Sequence, residues 1–306
     1  MKITVSNKSV PSSDGSHILK GKVYFPEGEV KGYLHIVHGM TEHIGRYHAF
    51  MVKMASRGYI VFGFDNLGHG YTANYKSELG FIAHKKGWEL LVKDVEVFSL
   101  QIFKEYGDKP YYLMGHSMGS FIVRVAMVTN VSPDKVILCG TGYKNHLSNL
   151  GIAYTKILKI FKGDKYVSKF LDKVSIGSYN KKFKEEGHRR SWITSDEKLR
   201  KKYDNEKLFN FRFGLSAMQD LITLNKMANS NRFYKNIDYG CKVLLVSGKD
   251  DPVGKFGKGI EKIYNKLVKN KVDVQMKLYD GRHEIYTEPR AKDQLINDID
   301  EFLSID

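Results

Sequence analysis

Seven short apolar runs alternate with longer amphipathic stretches along this chain, and that alternation narrows its fold more than any other feature. The runs fall at 19–25 (LKGKVYF), 32–37 (GYLHIV), 59–64 (YIVFGF), 110–114 (PYYLM), 135–139 (KVILC), 242–247 (KVLLVS) and 273–279 (DVQMKLY). Each has the length of a strand, and the later ones are apolar almost throughout, as expected of strands covered on both faces. Between them, Trp88, Leu91, Val92, Val95, Ser99, Ile102 and Phe103 recur at i, i+3, i+4 spacing, which puts one mostly apolar stripe on a helix. Stretches 254–269 and 290–303 repeat that pattern more weakly. Strands alternating with helices are joined by right-handed crossovers into a parallel sheet. The expected class is therefore α/β, a mostly parallel central sheet with helices on both faces.

The alternation stops between about 143 and 236, a stretch rich in Lys, Phe and Tyr with helical patterning and no convincing strand. Because it lies between two central strands, it reads as an insertion above the sheet. The expected division is 1–142 with 237–306 as the α/β domain and 143–236 as a helical cap. Within the cap, Ala153, Ile157, Ile160 and Phe161 share an apolar face, with Lys156 and Lys159 off it. A chain of 306 residues is long enough to bury one large core under this arrangement.

The run PYYLM leads into Gly115-His116-Ser117-Met118-Gly119, and a helical pattern, SFIVRVAMV, follows. A G-x-S-x-G between a strand and a helix places its serine on a sharp turn above the strand ends, where side chains at the two glycines would strike neighbouring backbone. The helix that follows aims its N-terminus at any oxyanion forming there. A serine hydroxyl is scarcely ionised at neutral pH and needs a base. After KVLLVS come Asp250, Asp251 and Pro252, and after DVQMKLY comes Arg282-His283-Glu284. Both sites follow the carboxyl ends of strands, where open parallel sheets hold their ligands, in the order serine, acid, histidine. Pro252 biases Asp251 to an extended backbone, so Asp251 is expected to orient His283 and Asp250 to be a turn residue. One oxyanion N–H is expected from Met118 and a second from Met40, in the loop His38-Gly39-Met40-Thr41-Glu42-His43. The remaining loop histidines, His38, His43, His69 and His116, read as packing or local hydrogen-bonding groups.

Laid out together, HGMTEHIGRY (38–47), FDNLGHG (64–70), GHSMGS (115–120), the Asp-Pro-Val at 251–253 and the Arg-His-Glu at 282–284 give a resemblance. The chain resembles the monoacylglycerol lipase and lysophospholipase group of α/β-hydrolases, often filed with serine aminopeptidase-type hydrolases. That resemblance implies the α/β-hydrolase fold, a Ser117–His283–Asp251 triad, oxyanion donors at Met40 and Met118, and a cap at about 143–236 that shapes an acyl-chain tunnel. It implies a carboxylic ester hydrolase acting on single-chain acyl esters without cofactor or metal. The same triad cleaves amides, so a peptidase is the alternative. Recognition of a free N-terminus calls for acidic groups in the cap, where Glu185, Glu186, Asp196 and Glu197 are outnumbered by basic residues. A non-catalytic, receptor-like use of the fold is the alternative outside enzymes.

The formal charge of +15 is spread over the whole chain rather than gathered in a basic block with interleaved aromatics, so no nucleic-acid partner is expected. A basic, partly amphipathic cap does suit transient contact with an anionic membrane surface. No run approaches the roughly 20 apolar residues of a membrane span. The first 20 residues hold no apolar core of a secretory signal, and a cytoplasmic address is expected. The two cysteines, Cys139 and Cys241, flank apolar runs and are expected to be buried and inert. Oligomeric state, acyl length and head group are left open.

Overall fold

The computed structural model describes residues 2–305 apart from 130, 176 and 210. Among the described residues eight strands form one sheet: β1 (Thr4–Pro11), β2 (Ile18–Phe25), β3 (Gly32–Val37), β4 (Tyr59–Phe64), β5 (Tyr111–His116), β6 (Lys135–Cys139), β7 (Lys242–Gly248) and β8 (Val274–Tyr279). Their spatial order is β1-β2-β4-β3-β5-β6-β7-β8. All neighbours from β4 to β8 are parallel, and β2 runs antiparallel to both β1 and β4. The helices are α1 (His48–Ala55), α2 (Gly87–Tyr106), α3 (Met118–Ala126), α4 (Ser148–Lys162), α5 (Lys169–Ser175), α6 (Glu197–Asp204), α7 (Leu215–Ala228), α8 (Asn231–Lys235), α9 (Lys258–Lys269) and α10 (Lys292–Ser304).

Alternate residues of each central strand enter opposite cores, because successive side chains point to opposite faces. On one face Tyr33, Val37, Phe62, Leu113 and Leu138 pack beneath α2, α3 and α9. On the other, Leu34, Ile36, Val61, Met114 and Ile137 pack beneath α1 and α10. Burial on both sides explains why these strands read as unbroken apolar runs. The edge strand β1 was not expected. Its sequence, TVSNKSVP, is largely exposed and pairs with β2 alone, so it needs neither an apolar run nor a free N–H at Pro11.

Between β6 and β7 the described residues hold helices and no strand. The end of this stretch is not separate from the rest: Ala217, Leu224, Phe233 and Tyr234 belong to the same core as the sheet. Helix α9 starts at Lys258 rather than 254, because Lys255, Phe256 and Gly257 take left-handed φ values of 52°, 57° and 85°.

Candidate active site

The turn between β5 and α3 is tight enough to exclude side chains. A Cβ on Gly115 would lie 2.5 Å from the Gly119 carbonyl oxygen, and one on Gly119 would lie 2.0 Å from that of Val37. Ser117, between them, has φ 52° and ψ −119°, a conformation that costs an L-residue about 1–3 kcal/mol. The strain is held by β6, whose Cys139 carbonyl accepts the Ser117 N–H at 3.0 Å. The hydroxyl is thereby lifted out of the strand and into a cavity of about 470 Å³.

His283 enters the same cavity from the loop after β8. Its Nδ1 lies 3.0 Å from Asp251 Oδ2, at the end of β7, and both residues are buried. A carboxylate only accepts, so Nδ1 carries the proton and Nε2 is left with a free lone pair. Asp251 is itself held: Oδ1 accepts the Val253 N–H at 2.8 Å, and Oδ2 accepts the Ser247 hydroxyl at 3.3 Å. Asp250 points away and pairs with Lys182. The structure thus joins His283 to Asp251 and brings Ser117 into the cavity that His283 lines, with no hydrogen bond between the hydroxyl and the imidazole in this conformation. Catalytic contacts of this kind commonly tighten only around a reacting substrate.

The loop after β3 supplies Met40 to the cavity wall. A Cβ on Gly39 would stand 3.0 Å from Ser117 Cβ, so only glycine lets this loop approach the turn so closely. His38 fastens the loop from behind, its Nδ1 donating to the Gly39 carbonyl at 2.8 Å and its Nε2 accepting the Asn66 N–H at 2.9 Å. Burial pushes that imidazole down to about 3, so it stays neutral, as this donor–acceptor pattern requires. Among the described residues the N–H groups of Met40 and Met118 have no protein acceptor.

Beneath the loop lies a charged cluster that sequence reasoning missed. Glu42, 2% exposed, accepts from the Gly39 N–H, from Tyr47 Oη at 2.8 Å, from His116 Nδ1 at 3.2 Å and from Arg46 Nη1 at 3.1 Å. Arg46 also donates to both oxygens of Glu284 at 2.8 and 3.0 Å, and Tyr203 donates to Glu284 at 2.7 Å. Burial alone would raise the Glu42 carboxyl, but His116 and Arg46 outweigh it and hold the group well below the usual range. His116 Nε2 faces the His283 carbonyl oxygen at 3.2 Å. With acceptors at both nitrogens His116 is an imidazolium: burial opposes its charge, the Glu42 carboxylate outweighs burial, and the pKa is raised. The signal was present as Glu42 and Arg46 four residues apart, but nothing in their spacing says that they are buried.

Apolar side chains, among them Phe121, Met218, Leu221 and Ile222, line one part of the cavity. The Trp192 ring lies 5.0 Å from that of His283. Neither thiol lines the cavity. Cys139 and Cys241 are free and buried, and burial pushes Cys241 up to about 12 and Cys139 well above the usual thiol range.

Residues 28–290 match the family described as serine aminopeptidase, S33. Monoglyceride lipase of Mus musculus is 30% identical over 122 residues, 38% of either chain. Monoacylglycerol lipase of Mycolicibacterium smegmatis is 28% identical over 101 residues, 33% of this chain and 34% of the other. Each alignment thus spans little more than a third of the relative's length. A thermostable carboxyl esterase from Bacillus coagulans, solved with glycerol, superposes over 98% of both chains with a TM-score of 0.92 at 25% identity. The fold is the α/β-hydrolase fold, and the chain belongs to its serine aminopeptidase S33 family.

Proposed function

We propose that this protein is a serine hydrolase that cleaves carboxylic esters of single-chain acyl substrates, of the monoacylglycerol or lysophospholipid kind, with Ser117, His283 and Asp251 as its triad. Ser117 Oγ attacks the ester carbonyl carbon while His283 Nε2 takes its proton. The tetrahedral oxyanion is met by the N–H groups of Met40 and Met118. The ester C–O bond breaks, the leaving alkoxide takes the proton back from His283, and water activated by the same nitrogen hydrolyses the acyl-enzyme to a carboxylic acid. The observation that supports this most is the His283–Asp251 hydrogen bond beside a serine on a strained turn, in one cavity with two N–H groups that have no other acceptor among the described residues. In this reading 143–236 is the cap that shapes the acyl site. The two buried free thiols suit a reducing, cytoplasmic setting.

The test is turnover of p-nitrophenyl esters of increasing chain length. Ser117→Ala is expected to lower kcat by on the order of 10⁴–10⁶-fold and Asp251→Asn by roughly 10⁴-fold. Undiminished turnover by Ser117→Ala sinks the reading. Faster cleavage of an aminoacyl p-nitroanilide than of any ester moves the protein to the peptidase branch of its family.

Helix α4 supports lipid as the source of substrate. It packs on α7 through small groups: a Cβ on Gly151 would lie 3.2 Å from Ile222, and the helix's buried residues are Ser148 and Thr155. Most of its large apolar residues face outward, with Ile152 and Leu158 half-buried. Leu150, Ile157, Ile160 and Phe161 are all more than half exposed, and so are Phe170 and Val174 of α5. Lys156, Lys162, Lys169 and Lys173 lie on the same two helices. An apolar stripe set among lysines is built to rest on an anionic lipid surface.

A further inference from the structure

We infer that the leaving-group end of the cavity selects an anionic head group, such as the phosphate of a glycerophosphate ester, over neutral glycerol. The inference rests on the esterase reading above. In that chemistry the leaving group must stand beside His283, which returns a proton to it. Two loops start against this imidazole. One leaves β6 at Gly140, where a Cβ would lie 3.2 Å from the His283 ring, and carries Lys144 into the cavity wall. The other begins at Asp251, the partner of His283, and carries Lys255 into the same wall. The loops touch: a Cβ on Gly142 would lie 3.5 Å from Val253.

Charge at this end is one-sided. Lys144 and Lys255 are exposed, and neither has a carboxylate within ion-pair distance among the described residues. Tyr143, next to Lys144, has Lys262 and Lys266 at 5.7 and 5.5 Å from its ring centre. The carboxylates of the cavity wall, Glu42 and Glu284, are buried and both bound to Arg46, so they do not neutralise these lysines. Lys255 also stands in a strained place, heading three successive left-handed residues. Such a conformation is unfavourable for a lysine, where glycine would sit without strain. A pocket with unpaired cations at its rim concentrates and orients an anion. The apolar side chains elsewhere in the cavity take the acyl chain.

Water-soluble short-chain substrates separate this from attraction to a charged membrane. We expect kcat/KM for 1-hexanoylglycerol 3-phosphate to exceed that for 1-hexanoylglycerol by tenfold or more, chiefly through KM, with the gap narrowing in 1 M NaCl. The variant Lys144→Glu/Lys255→Glu should lose at least tenfold on the phosphate ester and stay within twofold of wild type on p-nitrophenyl butyrate. If that variant fails to fold, Lys144→Gln/Lys255→Gly, with glycine suited to the left-handed backbone, makes the same test. Equal or better use of the neutral glyceride by wild type, or an unchanged ratio in both variants, overturns the inference while leaving the esterase reading intact. Absence of p-nitrophenyl butyrate turnover by wild type overturns that reading and the inference with it.

Discussion

Two parts of the stretch between β6 and β7 are held down in opposite ways. Residues 179–209 are fastened to the sheet domain by charge and backbone. Arg282 pairs with Glu186, Tyr203 and Arg46 meet on Glu284, His43 and Arg46 meet Glu206, and the Ile193 carbonyl accepts the Glu284 N–H at 2.8 Å. Arg46 also lies 3.9 Å above the rings of both Tyr203 and Phe209. The α4–α5 part has the reverse character. Helix α4 sits on α7 through small residues and leaves Ile157, Ile160 and Phe161 in water, and its polar ties to the sheet domain among the described residues are the exposed Asp164–His84 pair and a Lys159 hydrogen bond to the His84 carbonyl. Buried ion pairs specify one geometry strictly, since any displacement strands a charge in a medium that cannot solvate it. Small-residue packing with an outward apolar face carries no such penalty. The contrast indicates that residues flanking His283 are fixed and that α4 and α5 are the part free to shift.

That contrast is sharpest at Arg46. Arg46→Ala strands Glu42 and Glu284 together, so a loss of about 3–5 kcal/mol in urea unfolding is expected, with a fall in kcat as the Met40 loop loosens. A loss below about 1 kcal/mol would mean that the 179–209 stretch is not held by this cluster. Asp220 tests how α7 is seated. Its carboxyl faces the N–H groups of Gly87 and Trp88 at the start of α2, and burial raises it to about 7. A carboxyl whose folded pKa lies above its unfolded value contributes stability that is full below about pH 4 and is lost as pH rises towards 7. The Tm of Asp220→Asn should therefore gain on wild type across pH 4–7 and run parallel to it above pH 8. A constant offset at every pH would contradict this. The smallest effect on stability is expected on α4: Ile157→Ser/Phe161→Ser should stay within about 0.5 kcal/mol of wild type, because these side chains are already exposed. Sedimentation with vesicles containing anionic lipid should nevertheless fall by tenfold or more. Unchanged vesicle binding would remove the lipid-surface reading.

The central sheet is legible in the sequence because each of its strands is buried on two faces and must be apolar along its whole length. Runs 32–37, 59–64 and 135–139 coincide with β3, β4 and β6 residue for residue. β1 is illegible for the same reason inverted, since an edge strand in water carries no such requirement. In the candidate site, the approach of His283 to Asp251 can be anticipated from the order of strand ends. The Glu42–Arg46–Glu284 cluster cannot, because charged residues in a loop are ordinarily solvated, and only the fold brings 42, 46 and 284 together under Tyr203. The apolar face of α4 is visible as a periodicity, yet period alone does not say whether a stripe turns inward or outward. Here Gly151, Ser148 and Thr155 turn inward.

The seclusion of both thiols has a practical corollary. Maleimide and nitroxide reagents attack the ionised sulfur, and in the native protein neither cysteine offers one at an accessible place. A single Ile157→Cys replacement therefore creates a uniquely addressable position without first deleting native cysteines. A fluorophore or spin label attached there reports directly on whether α4 changes its surroundings during turnover.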